Sequence, residues 1–163
     1  MVRLFVRLSD LLARATEIVA ICATVTMVAA LFLQIVSRYF FNQTFVWTEE
    51  LALLMFTWII LLGGSLGIKQ KFHARLTLAA SVTGKWGKMS LERLSDILAI
   101  LFGAVLIKSG YAYFLATQGG YSAAVEYPLE LLYSSVPVAG ALILVHGIAA
   151  LISPVNYGEE TNA

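Results

Sequence analysis

The chain has too few cysteines and charged residues for most kinds of soluble protein. Its single cysteine, Cys22, lies in an apolar run, so an internal disulfide is impossible and no redox compartment can be inferred. Charged residues make up only 13% of the 163 residues, whereas a typical soluble domain has about 25%. The net charge of +1 gives no indication of a nucleic-acid partner. These absences exclude an ordinary soluble domain and favour a protein embedded in lipid.

The residue patterns that most enzymes and cofactor proteins need are also missing. The chain has two histidines, His73 and His146, and it has no spaced His/Cys cluster, Gly-rich phosphate loop or Ser/His/Asp set. A haem-binding anchor of a redox enzyme would need two facing histidines, and only His146 lies within an apolar segment. We therefore predict that the protein is not an enzyme and that it holds no cofactor and no metal.

What the chain does have is apolar sequence, which amounts to 60% of its residues and gives a mean hydropathy of +0.83. A helix that crosses a membrane needs about 20 mostly apolar residues. Four segments meet or approach this length: residues 16–37, 47–68, 94–117 and 131–153. We predict an all-α integral membrane protein with four transmembrane helices, in which residues 1–163 form a single domain.

The first span is interpreted as a retained anchor. Its charge-free run from Ile18 to Ser37 is longer than the apolar core of a secretory signal peptide, which has about 7–15 residues.

Basic residues predict the orientation of these spans. Of the eleven lysines and arginines, all but Arg38 and Lys108 lie in the N-terminal arm or in the connection between the second and third spans. Because basic flanks stay in the cytoplasm, both termini are expected there, with connections 38–47 and 118–130 outside. The cytoplasmic connection, residues 69–90, mixes apolar residues with lysines, which predicts an interfacial segment.

Charged residues at the predicted outer boundary suggest docking rather than chemistry. Arg38 closes the first span, and Trp47, Glu49 and Glu50 open the second. Either Arg38 pairs with these glutamates and clamps the two helices together, or all of them simply mark the water boundary. Lys108, inside the third span, either contacts a partner subunit or extends to the membrane surface.

Small residues predict where helices approach each other closely. They are Gly63, Gly64, Ser65 and Gly67 in the second span and Gly140 in the fourth. Pro128 and Pro137 are expected near the outer start of the fourth span, where a missing N–H is tolerated or a bend forms. His146 is interpreted as a hydrogen-bonded packing residue rather than as a ligand.

The order and spacing of these residues resemble the small membrane subunit of tripartite ATP-independent periplasmic (TRAP) transporters. The resemblance covers about residues 10–153, nearly the whole chain. The matching features are Arg38-Tyr39, Trp47-x-Glu49-Glu50, Trp58, Gly63, His73-Ala74-Arg75-Leu76, Pro128, Tyr133, Pro137 and Gly140.

The resemblance implies a multi-pass protein of the bacterial inner membrane that pairs one-to-one with a large multi-span transport subunit. The large subunit would hold the substrate and sodium sites, and a periplasmic solute-binding protein would deliver an organic acid such as a C4-dicarboxylate or a sialic acid. The small subunit would brace the large one and help to dock the binding protein. Residues expected at partner contacts or in structural roles are Arg38, Trp47, Glu49, Glu50, Trp58, His73 and Lys108.

A self-assembling small exporter is the alternative function. Such a protein would need a carboxylate deep within a span as its proton site. The acidic residues of this chain lie at the ends of its spans instead, so the accessory subunit is the preferred interpretation.

Overall fold

The computed structural model is built almost entirely of α-helices. It describes the backbone of residues 2–70 and 77–152, and the side chains of residues 4–70, 90–91 and 93–152. The helices are α1 (Val2–Phe40), α2 (Val46–Lys69), α3 (Thr77–Ala116), α4 (Leu129–Tyr133) and α5 (Ser135–Ile152). Within these described stretches there is no β-strand, and one isolated β-bridge joins Tyr121 to Pro128.

Four helical stretches of the described chain are long and apolar enough to cross a membrane. They are Leu4–Phe40, Val46–Lys69, Arg93–Ala116 and Leu129–Ile152. The predicted all-α membrane fold with four spans is therefore confirmed.

Two helices extend well beyond their predicted spans. α1 begins at Val2 instead of near residue 16, and α3 begins at Thr77 instead of near residue 94. Within the predicted interfacial connection, residues 77–90 are the first part of α3 and run into the third span without a break. Residues 71–76 lie outside the described residues. The composition of 77–90 suggested a connection because its lysines interrupt the apolar pattern, but lysine is a good helix former.

Asn42 ends α1 in a way that its residue type explains. It adopts a left-handed conformation with φ of 53°, which asparagine tolerates better than most residues. The Gln43 N–H then donates to the carbonyl of Ser37 at 3.3 Å, as in the Schellman motif. This turn reverses the chain, so that α2 returns antiparallel to α1.

Proline divides the fourth span into α4 and α5. Pro137 has no N–H to donate to the carbonyl of Tyr133, and its ring crowds that carbonyl. The helical hydrogen bonding resumes with the Val138 N–H donating to Ser134 at 3.2 Å. The helix is therefore interrupted near Pro137, where the sequence predicted either a tolerated missing N–H or a bend.

The membrane helices pack in the spatial order α1, α2, α5, α3. α2 and α5 lie in the middle of this row, and α1 and α3 lie at its two edges; α1 also touches α5. We call the end of the bundle that carries residues 41–45 and 117–128 the loop end. The other end, where α2 finishes at Lys69, is called the opposite end.

Glycines allow α3 and α5 to approach each other closely. A Cβ on Gly140 would lie 2.8 Å from the carbonyl oxygen of Gly103, and a Cβ on Gly103 would lie 2.9 Å from that of Gly140. The close approach predicted at Gly140 is therefore present. By contrast, a Cβ on Gly63 or Gly64 would have no neighbour within 4 Å, so no described residue of this chain approaches these two glycines closely, and close approach there stays a prediction for a partner.

Small residues also form the contact that α1 makes with the bundle. The buried residues of α1 occur at every seventh position, because a seven-residue interval returns to nearly the same face of a helix. They are Ser9, Thr16, Ala23, Ala30 and Ser37. We call them the small-residue seam; the α1 side chains beyond it are partly or largely exposed within the bundle.

Candidate functional site at the loop end

The carboxylate of Glu50 holds the segment that joins α3 to α4. The Ala124 N–H donates to Oε1 and Oε2 of Glu50 at 2.9 and 3.0 Å, and the Val125 N–H donates to Oε2 at 2.9 Å. Hydrogen bonds from backbone N–H groups to a carboxylate are charge-assisted and stronger than neutral ones. Glu50, placed one turn into α2, thus fixes the tip of residues 117–128, which we call the hairpin loop.

Further contacts fix the two ends of the hairpin loop. The side chain of Glu130 accepts a hydrogen bond from the Gly119 N–H at 2.9 Å. The Leu129 N–H donates to Gly120, and the Ser122 N–H donates to Tyr127, at 2.9 and 3.0 Å. The loop is therefore a short hairpin with its own hydrogen bonds rather than an open connection.

Trp58 links α2 to the base of the same hairpin. Its indole Nε1–H donates to the carbonyl of Leu131 at 3.2 Å. A partly buried tryptophan normally satisfies its N–H in this way. Trp58 and Glu50 lie two turns apart on α2, so a single helix holds both the tip and the base of the loop.

The tip of the hairpin loop exposes both apolar and charged side chains. Tyr121 is 68% exposed, and Val125 and Glu126 are exposed beside it. Glu126 has φ of 57°, a conformation that costs free energy for a residue with a Cβ and persists where surrounding contacts impose it. The arrangement presents a fixed surface, and it contains no nucleophile paired with a base.

Tyr127, in the same loop, is partly buried, and the negative charge of Glu50 acts on its phenol. Partial burial and, secondarily, the negative charge of Glu50 raise the pKa of the Tyr127 phenol above its ordinary value. Both effects disfavour the phenolate. The phenol thus remains neutral at physiological pH.

The structure places the other predicted site residues separately. Arg38, Trp47 and Glu49 are exposed near the loop end, and Lys108 is exposed on α3. Among the described residues no ion pair joins Arg38 to Glu50, so the structure does not contain the clamp that was one of the two alternatives. Glu50 instead accepts hydrogen bonds from the backbone N–H groups of Ala124 and Val125 in the hairpin loop. His73 lies outside the described residues.

Sequence reasoning missed a polar cluster at the opposite end. Lys69 forms an ion pair with Asp10 at 2.6 Å and donates to Ser9 at 3.0 Å, and Ser9 contacts Nδ1 of His146 at 2.9 Å. Ser9 and His146 are fully buried. The prediction of a hydrogen-bonded packing histidine agrees with this contact. One signal in the sequence could have identified Ser9 as the partner of His146: Ser9 begins the series of small residues at seven-residue intervals, which marks the buried face of α1.

The described residues contain no group of three or more metal-ligating side chains. The features that remain are the hairpin surface at one end and, at the other, the cluster of Ser9, Asp10, Lys69 and His146, which we call the polar lock. Both hold helices or loops in place.

Comparison with known proteins decides the family. Residues 27–156 match the family described as tripartite ATP-independent periplasmic transporters, DctQ component. The chain belongs to this family. The resemblance noted in the sequence is thereby confirmed.

Curated relatives agree with this assignment. A Haemophilus influenzae protein named as a TRAP transporter small permease is 26% identical over 150 residues, covering 92% of this chain and 93% of the relative. The sialic acid TRAP transporter small permease of Vibrio cholerae is 28% identical, covering 78% of this chain and 74% of the relative. The C4-dicarboxylate small permease of the same organism is 40% identical over only 42 residues, 26% of this chain and 18% of the relative.

As a TRAP small permease, the chain is a transporter subunit of the bacterial inner membrane. Members of the family are not enzymes, which confirms that prediction. The family works with a large membrane subunit and a binding protein. Its four membrane-spanning helices are those described above.

Proposed function

We propose that this small permease is the non-catalytic subunit of a sodium-driven transporter for organic acids, in which it braces the large subunit and helps to dock the solute-binding protein. The observation that carries the docking role is the hairpin loop, whose tip is fixed by Glu50 and exposes Tyr121, Val125 and Glu126. A fixed surface binds a partner with a smaller loss of conformational entropy than a mobile loop does. The two substrates that the relatives' names give, sialic acid and C4-dicarboxylate, support an organic acid as solute.

In this proposal the loop end faces the periplasm. Trp47 and Glu49 extend the docking surface beside the hairpin loop, while Glu50 and Trp58 position it from beneath. Arg38, His73 and Lys108 contact the large subunit or have structural roles. Gly63 and Gly64, open within this chain, admit close approach of a helix from the large subunit.

The accessory role is tested by purification and reconstitution. The chain is co-expressed with its genomic neighbours and purified in mild detergent, and the proteins are identified by mass spectrometry. We expect a stoichiometric complex that transports solute with its binding protein in a sodium gradient, and no transport by the small chain alone. Transport by the small chain alone would instead support the self-assembling exporter.

The docking surface is tested by varying the binding-protein concentration in the same assay. Tyr121→Ala should raise the concentration that gives half-maximal uptake by about tenfold, the effect of an interface residue of intermediate importance. Tyr111→Ala is the control, because Tyr111 is also exposed but lies in α3 instead of the hairpin loop. Equal effects of the two substitutions would contradict the docking role.

A further inference from the structure

The first part of α1 carries an apolar stripe that is exposed within the described part of the chain. Its leucines follow the alternating four- and three-residue spacing that places side chains along one face of a helix. Leu4, Leu8 and Leu11 are 74%, 49% and 66% exposed. We call these three residues the leucine stripe.

The other sides of this helical segment have different occupants. Ser9 and Thr16, in the small-residue seam, face the bundle. Leu11 lies two residues after Ser9, which is about 200° around the helix, so the leucine stripe points away from the bundle. The charged residues of the segment, exposed as well, occupy a separate side: Arg7, Asp10, Arg14 and Glu17. A segment with charges on one side and leucines on another, both exposed, has a face suited to a partner.

Lipid does not reach the beginning of the stripe. The charge-free run of α1 begins at Ile18, and Leu4 precedes it by fourteen residues in the same unbroken helix. At about 1.5 Å per residue this separation is about 21 Å. The headgroup region extends only about 5–8 Å beyond the hydrocarbon. Leu4 and Leu8 therefore project into water unless protein covers them.

A comparable row of exposed apolar side chains on α3 has a different explanation. It comprises Leu94, Leu98, Leu101 and Val105. Leu98, Leu101 and Val105 lie inside the charge-free run that follows Asp96, and Leu94 precedes that run by only three residues, about 4.5 Å, so the hydrocarbon and the headgroup region cover all four. The leucine stripe differs because it begins fourteen residues before the charge-free run of α1.

Two features beside the leucine stripe indicate what kind of partner binds it: a pair of arginines and a groove that continues from them. Arg7 and Arg14 are exposed along the edge of the leucine stripe and are seven residues apart, so they lie above one another on the helix. Continuing along this edge, Ile21 and Val25 line a mostly apolar groove between α1 and α2 with Leu66, and Glu17 and Thr24 are also part of its lining. A partner that follows the edge would meet two positive charges at the water level and a mostly apolar groove at the membrane level.

We propose that the leucine stripe is a docking face for an amphipathic helix of the large permease subunit, and that this helix places acidic residues opposite Arg7 and Arg14. The proposal rests on the proposed function for the existence of that subunit. It adds where the subunit binds: on the edge of the bundle formed by α1, reaching past the membrane surface.

The first test measures access to the stripe. Leu8→Cys is made in a Cys22→Ser background, so that the new thiol is the only one, and the chain is labelled with a membrane-impermeant maleimide. Labelling is compared in detergent, in nanodiscs, and in nanodiscs that contain the complex with the large subunit. Ala123→Cys, exposed in the hairpin loop at the other end of the bundle, is the control. We expect the large subunit to slow labelling at position 8 and to leave labelling at position 123 unchanged.

The second test measures affinity for the large subunit. Leu8→Gln should weaken it about tenfold or more, as expected when a leucine buried in an interface is lost. Leu94→Gln, at an exposed leucine on the other edge, should have no effect. Because Leu8 is half exposed, the isolated Leu8→Gln chain should keep its unfolding midpoint. Arg14→Glu should weaken the complex, and acidic-to-basic substitutions in the partner helix should restore it.

The outcomes separate the proposals. Unchanged labelling at position 8 in an intact complex would overturn the docking face and leave the proposed function standing. Shielding by nanodisc lipid alone, or by a second copy of this chain, would also overturn it. Failure of the unmodified chain to bind the large subunit would overturn the proposed function itself.

Discussion

Glu50 shows how a carboxylate near a membrane boundary is stabilised without an opposing side chain. Three hydrogen bonds of 2.9–3.0 Å from two backbone N–H groups take the place of the expected ion pair with Arg38. Buried or partly buried carboxylates need such partners, and backbone donors satisfy them as well as arginine does.

We expect Glu50→Gln to loosen the hairpin loop. The substitution removes the negative charge and places an NH₂ group, which is a donor, where an acceptor is needed. Hydrogen exchange at the amides of Ala124 and Val125 should become faster. Glu49→Gln is the matched control, since Glu49 is exposed and carries the same charge on the preceding residue. Equal exchange in both variants would contradict the assigned role.

The hairpin loop should lose stability at alkaline pH. Because the pKa of Tyr127 is higher in the folded protein than in the unfolded chain, the unfolded chain loses its phenolic proton first as the pH rises. The contribution of Tyr127 is therefore complete below its ordinary pKa of about 10 and is lost as the pH rises through the folded value. Hydrogen exchange of the loop amides measures this loss between about pH 9 and pH 11, a range centred on that ordinary pKa. In Tyr127→Phe this part of the pH dependence should disappear.

His146 should act as a hydrogen-bond acceptor through Nδ1. Lys69 can only donate, so the Ser9 hydroxyl accepts from Lys69 and its own proton is available for donation to Nδ1 of His146. His146→Asn keeps an acceptor near the Nδ1 position, whereas His146→Leu leaves a buried hydroxyl without one, at a cost of about 1–3 kcal/mol. The midpoint of thermal unfolding of the isolated chain should be highest for the wild type, lower for His146→Asn and lowest for His146→Leu.

A double mutant tests whether Ser9 and His146 act together. If they do, Ser9→Ala combined with His146→Leu should destabilise the chain by less than the sum of the two single substitutions. Additive losses of stability would show that the two residues contribute independently and would contradict the polar lock.

At the scale of elements, the closest helix contact is between α3 and α5. Gly103 and Gly140 face each other there, and Gly110 and Gly147, each seven residues further along its helix, lie against Pro137 and Ile100. Repeating glycines at seven-residue intervals keeps one face of each helix flat. In lipid, where no hydrophobic force pushes helices together, such close packing is a main source of association.

Gly140→Ala should destabilise the isolated chain by about 1–3 kcal/mol, because its Cβ would overlap the backbone of Gly103 and force the helices apart. Gly63→Ala is the matched control. Its Cβ has no neighbour within 4 Å, and alanine favours helix by up to about 1 kcal/mol over glycine, so this variant should be unchanged or more stable. Unfolding midpoints in detergent compare the two. A stable Gly140→Ala chain would contradict the close contact.

At the scale of the whole molecule, four spans in a row leave both edge helices largely exposed. α1 and α3 each contact the bundle along one narrow face. A compact four-helix bundle would bury more of each helix. This open arrangement fits a protein that completes its packing with lipid and with another subunit.

The orientation predicted from the basic residues is testable with single cysteines in a Cys22→Ser background. Ala123→Cys in the hairpin loop should react with an impermeant maleimide added from the periplasmic side. Arg7→Cys, near the opposite end, should react only after the inner membrane is opened. The reverse pattern would place the hairpin loop in the cytoplasm and contradict both the orientation and the proposed docking of a periplasmic protein.

The sequence by itself determined that four helices cross the membrane. Charge-free runs such as Ile18–Ser37 can satisfy their backbone groups in lipid only as helices, so composition and length suffice. The motif residues also predicted the family, because their order along the chain is independent of how the helices pack. Pro137 made an interruption near the start of the fourth span predictable for the same reason: its effect is confined to its own turn.

Only the tertiary structure decided which residues meet. A membrane helix is apolar on every side, so its pattern does not reveal which side faces another helix. Glu50 and Val125, or Ser9 and His146, are far apart in sequence, and their pairing depends on the order α1, α2, α5, α3. The small size of Gly63, Gly64 and Gly140 predicted that a helix could approach each of them. Only the structure shows that α3 lies against Gly140 and that no described residue lies against Gly63 or Gly64.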